Sequence, residues 1–111
     1  MIIEKVICDY LKTKLDCPVL PEKPARPFGR MVFVEKTGGS GRFMVSSTIA
    51  IQSYDTSMYK AAKLNDDVID AMNDLIELDD ICRVELNSNY NYTDTETKEY
   101  RYQAVFDINH Y

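Results

Sequence analysis

The chain has 111 residues, 45% of them apolar, and a formal charge of −5, which suits one globular domain spanning 1–111 and argues against wholesale disorder. It offers no apolar run long enough for a bilayer, and the acids within MIIEKVICDYLKTKLD do not suit a signal peptide. An acidic chain without a basic stripe is also poorly made for gripping the phosphates of nucleic acid.

Residues 2–15 predict a helix. Ile3, Val6, Ile7, Tyr10 and Leu11 fall on one face, with Lys5, Asp9 and Lys12 away from it. Its first turn has no good capping residue, so that end is expected to fray. Pro18 stops the helix, because the residue before a proline is pushed out of the helical region. Pro18, Pro21, Pro24 and Pro27 then forbid a helix or a central strand and predict an extended spacer. A short edge strand at Val19-Leu20 is compatible with that spacer.

Arg30 to Asp55 reads as a long β-hairpin. Val32, Phe33 and Val34 begin one strand. Phe43, Val45, Ile49 and Ile51 share one face of the other, opposite Arg42, Ser46, Thr48 and Gln52. Gly38, Gly39 and Gly41 place the reversal at TGGSG, since glycine tolerates positive φ. The second strand, residues 42–54, would extend about 43 Å at ~3.3 Å per residue, which calls for a bulge at Ser46-Ser47 or a protruding tip.

Asp55-Thr56-Ser57 offers N-caps for a helix from Met58 to Leu78. Its apolar stripe runs through Met58, Ala61, Ala62, Leu64, Val68, Met72, Leu75 and Ile76. The other side carries Asp66, Asp67, Asp70, Asp74 and Glu77, and no basic residue lies between Leu64 and Cys82. These acids can simply face water, hold calcium or magnesium, or meet a basic neighbouring subunit. No EF-hand loop supports the metal. Residues 81–89 alternate with Cys82, Val84 and Leu86 inward. Residues 98–109 alternate with Tyr100, Tyr102, Ala104, Phe106 and Ile108 inward. The stretch between them, Ser88 to Thr97, reads as a loop bearing Tyr90 and Tyr92, which either anchor a protein interface or fold back on the sheet.

These elements predict an α+β fold: an antiparallel-rich sheet of about four strands, two helices on one side, in the order α-β-β-α-β-β. No catalytic constellation emerges. His110 reads as a terminal surface residue, and Ser40, Ser46 and Ser47 have no Ser/His/Asp logic. The glycine run joins two strands and is not followed by a lysine and hydroxyl pair, so it is not a phosphate loop. Cys8, Cys17 and Cys82 are odd in number and lack zinc spacing, so neither metal nor other cofactor is expected. Residues 1–42 hold eight basic and five acidic side chains, a net of +3. Residues 43–111 hold five and thirteen, a net of −8. Such polarity favours head-to-tail docking of identical copies. The candidate interface residues are Gly38, Gly39 and Arg42 at the turn, Tyr90 and Tyr92 in the loop, and Asp66, Asp70 and Asp74 on the helix.

Several of these features sit in a familiar order. Pro24 and Pro27 lead into Phe33-Val34, then Thr37-Gly38-Gly39. The next strand ends in Ile49-Ala50-Ile51-Gln52-Ser53-Tyr54, followed by a helix with Tyr59-Lys60-Ala61-Ala62 and a last strand with Tyr100-Arg101-Tyr102-Gln103. Over nearly its whole length the chain resembles the tail terminator, or tail completion, proteins of long-tailed lambda-type bacteriophages. It departs from them in having no tryptophan where the family's strand often ends in one. The resemblance implies a ring, usually sixfold, on the head-proximal end of the tail tube, with the tube protein and a head-completion or neck protein as partners. It implies a place in the virion tail, and in the host cytoplasm during assembly. The competing expectation is a small intracellular adaptor or immunity-type module that meets a basic target with its acidic helix face.

Overall fold

Side chains at helical spacing and side chains at alternate positions meet in one core. The computed structural model describes residues 1–25 and 29–111; Pro27, the end of the proline-rich stretch, lies outside them. Helix α1 spans Ile3–Lys14 and buries Ile3, Ile7, Cys8 and Leu11. Strand β1 is Val19–Leu20, β2 is Met31–Ser40 and β3 is Val45–Asp55. Helix α2, Met58–Asn73, starts where the Ser57 hydroxyl accepts the Lys60 amide, satisfying a donor that the first turn cannot. A 3-10 turn at Asp74–Glu77 leads to β4, Ile81–Asn91, and then β5, Tyr100–His110.

Both helices cover the same face of the sheet. Val32 and Val34 of β2, Ile49 and Ile51 of β3, and Ala104, Phe106 and Ile108 of β5 join the helical side chains in one cluster. On the opposite face, Met31, Phe33 and Tyr54 form a smaller cluster with Leu20. The fold is therefore α+β with two helices on one side, as the sequence predicts. The sheet itself differs from expectation. Among the described residues it has five strands in the order β1-β2-β3-β5-β4, and it is mixed, because β1 runs parallel to β2. The element order is accordingly α-β-β-β-α-β-β. The extended backbone that the prolines impose brings the Pro18 carbonyl to the Val32 amide at 2.9 Å, and two residues then pair.

Four further differences have local causes. The chain reverses later than the glycine run suggests: Gly38, Gly39 and Ser40 pair with Thr48, Ser47 and Ser46, and the turn is made by residues 41–44. Among these glycines only Gly41 has a positive φ, +104°. The bulge lies between Lys36 and Gly38 on β2, not at Ser46-Ser47. The long helix tightens at Asp74, whose amide reaches the carbonyls of both Ala71 and Met72, so Leu75 is buried while Ile76 is exposed. In β4 a register shift between Ile81 and Arg83 buries Ile81 and leaves Cys82 exposed.

Candidate interaction surfaces

Three separate elements carry the residues that the sequence singles out. The first is the tip of the β2–β3 hairpin. Gly38 and Gly39 lie in the ladder below it, so they shape the arm and do not form the turn. Arg42 is exposed in the turn itself. Beside it stands Phe43, expected inside but 91% exposed, and Met44 is exposed as well. Because β3 begins only at Val45, residue 43 falls outside the alternation that the pattern assigned to it. From Glu35 to Ser40 every residue of β2 is exposed, while its β3 partners Ala50, Ile49 and Ser47 are buried, so this half of β2 is an exposed edge beside the covered sheet.

The second element is the open face of the sheet. Tyr90 is part of β4, paired with Gln103, and the Tyr92 amide reaches the Arg101 carbonyl at 2.9 Å. The two tyrosines therefore extend the ladder, where a loop is expected. Their rings meet edge to face at 5.9 Å and remain 42% and 44% exposed.

They belong to a closed circuit of contacts. Arg101 donates to the Tyr92 carbonyl at 2.6 Å and to the Tyr54 hydroxyl at 3.0 Å, and its guanidinium lies 4.6 Å from the Tyr92 ring centre. Tyr54 donates to Gln52 at 2.9 Å, Gln52 to Gln103 at 3.0 Å, and Gln103 to the Tyr90 hydroxyl. Arg101 also sits 3.7 Å from Glu99, which lies 3.8 Å from Lys23. Sequence reading found the tyrosines but missed Arg101, Gln52 and Gln103. Their common outward parity is a signal; their pairing across strands depends on register, which parity does not give.

The third element is α2. Asp66, Asp70 and Asp74 are all exposed. Asp70 and Asp74, with Asp67, line one wall of a groove of about 490 Å³, and Ala71 lies among them. The other wall comes from the end of α1: Lys14, Leu15 and Asp16, with Arg30 beside them. Asp66 does not reach the groove. Arg30 is already engaged, at 2.8 Å from Asp16 and 3.6 Å from Asp55. Nearby, burial pushes the Tyr10 hydroxyl pKa up, helped by the negative charges of Asp74 and Glu77. Burial raises Cys17 too, against the pull of Arg30. Among the described residues, no three His, Cys, Asp or Glu side chains converge to hold a metal ion.

His110 is not a surface residue. It is 3% exposed, and its Nε2 lies 2.8 Å from the buried Ser47 hydroxyl. Its Nδ1 faces the Tyr111 carbonyl at 3.2 Å. Among the described residues no Asp or Glu side chain joins this set of contacts, and the pair reads as a satisfied polar core contact. Among the described residues, no helix is long and apolar enough to cross a membrane. Comparison of the chain with protein-family models and with curated proteins finds no match.

Proposed function

We propose that this chain is a structural subunit that caps the head-proximal end of a phage tail tube, stops tube growth and helps the tail join the head. In this reading it works as a ring, six copies being the number the family resemblance implies, in the virion tail after assembly in the host cytoplasm. The observation that carries the reading is the hairpin arm. It presents an exposed Phe43 and Arg42 at its turn, next to an outer half of β2 that is exposed at every residue. An aromatic ring held in water on a constrained turn is an anchor without a partner, and aromatic and arginine side chains dominate the energetics of protein interfaces. A tube-capping subunit needs such exposed contacts and no bond-making chemistry.

The adaptor reading draws on a different observation, the carboxylates along α2, which are in no ion pair among the described residues. It requires a basic partner and predicts a monomer or dimer that binds one. Electron microscopy of negatively stained protein, alone and added to tubes of the phage's own tube protein, separates the two. The capping reading expects discrete rings, free or seated on tube ends. A particle that remains a monomer and never occupies a tube end contradicts it.

A further inference from the structure

We propose that the Arg42-Phe43-Met44 tip of one copy seats in the α1–α2 groove of the next copy. The contact deepens the self-association part of the capping reading and rests on it.

The tip has a definite chemistry. Between Lys36 and Tyr54 the chain carries Lys36 and Arg42 and no acid, although the whole protein is at −5. Phe43 and Met44 stand exposed beside that charge. Gly41 fixes the turn at φ +104°, and a Cβ there would run into the Met44 carbonyl oxygen. The tip is thus a preorganised cationic and aromatic plug, and preorganisation lowers the ordering cost of docking.

The groove has the complementary chemistry. Asp67, Asp70 and Asp74 line one wall, and among the described residues none of the three is in an ion pair. Opposite, Arg30 is held by Asp16 and Asp55. With Asp16 counted, and Lys14 and Arg30 set against them, the lining stays acidic, four carboxylates to two cations. Leu15 and Ala71 supply apolar surface. Its 490 Å³ falls within the range of about 300–1,000 Å³ for clefts that bury a ligand.

Placement makes the contact intermolecular. Arg30 stands immediately before β2, and β2 runs ten residues from there towards the tip, a distance of about 33 Å at ~3.3 Å per residue. The molecule is 43 Å along its longest axis. Arg30, on one wall of the groove, therefore stands towards the end of β2 opposite the tip, and Phe43, 91% exposed, is not seated in the groove of its own subunit. A plug and a separate socket on the same subunit define a heterologous contact, which closes into a ring or continues as a filament according to its rotation.

The test uses charge reversal in the full chain, read by sedimentation across a concentration series. Arg42→Glu and Asp70→Lys should each weaken self-association by about tenfold or more, because each places like charges at the contact. Mixing the two variants should restore association, since the acidic tip of one fits the basic groove of the other and their native tip and groove also fit. The double variant should regain it alone. Phe43→Ala, at a position outside the core, should weaken association with an unchanged melting temperature. Association of both single variants at wild-type strength overturns the proposal. So does failure of both the mixture and the double variant to recover. If rings still form in either case, the capping reading stands with a different contact. A wild-type chain that stays monomeric at every concentration also overturns the tip–groove contact, and seating on tube ends then judges capping separately.

Discussion

The Ser47 hydroxyl lies 2.8 Å from Nε2 of His110, and the pair joins β3 to β5 inside the core. A carbonyl can only accept, so the Tyr111 oxygen 3.2 Å from Nδ1 places the ring proton on Nδ1. Nε2 then accepts from Ser47. The Tyr111 amide reaches the Asp80 carbonyl at 3.0 Å and holds the end of the chain in place. Ser47→Ala leaves a buried ring nitrogen without its donor, which should cost about 1–3 kcal/mol in urea unfolding. Adding His110→Phe to it should cost less than the two single changes together, because both remove one interaction. Additive losses would show that the two side chains act independently.

The circuit on the open face makes a second expectation. Arg101→Ala removes the hydrogen bonds to Tyr54 and Tyr92 and the cation over the Tyr92 ring. A loss of about 1–3 kcal/mol should follow from the stranded partners. Arg101→Lys should recover only part of it, since an ammonium lacks the planar fork that reaches two acceptors while lying over a ring. Full rescue by lysine would mean that charge alone matters at this position.

Two glycines of the hairpin should respond oppositely to alanine. Gly41→Ala combines a positive φ with a collision at the Met44 carbonyl, and strain of this kind costs about 1–3 kcal/mol. Gly38 has no heavy atom within 4 Å of an added Cβ and no positive φ. Gly38→Ala should be neutral or stabilise by up to about 1 kcal/mol, by restricting the unfolded chain. Thermal melts of the two variants check the contrast. Equal effects would indicate that the turn is not where the register places it.

Acid should loosen the end of the β4–β5 connection. The Asp94 carboxylate accepts the backbone amides of Glu96 at 3.0 Å and Thr97 at 3.4 Å, and these bonds hold its pKa below the ordinary range. A depressed folded pKa means stability that is present above the usual Asp value of about 3.9 and lost as pH falls through the folded value. Amide exchange at Glu96 and Thr97 should therefore accelerate only below that value, and Asp94→Ala should show fast exchange at all pH values. Exchange that accelerates nearer neutrality would assign the order of this turn to another group.

The contrast between these residues shows what the sequence makes legible. Ile49, Ile51, Ala104, Phe106 and Ile108 alternate strictly and are buried where alternation puts them. Ile3, Ile7 and Leu11 behave likewise at helical spacing. Periodicity works there because one face of each element has a single, apolar environment. Val19-Leu20 pairs through its backbone, which leaves only a weak compositional trace. Phe43 carries the alternating pattern past the end of its strand, and only the backbone of Gly41 reveals where the strand stops. Tyr90, Gln103, Gln52 and Arg101 form their circuit through cross-strand register. Two bulges shift that register in β4, and no periodicity records them.

The capping account is tested most directly by tail length. In a phage carrying this gene, deletion should yield headless tails of irregular and excessive length in negative-stain micrographs, because an open tube end keeps adding subunits until something else occupies it. Supplying the intact chain in trans should restore one length and joining to heads. Tails of normal length on normal heads in the deletion would contradict the account.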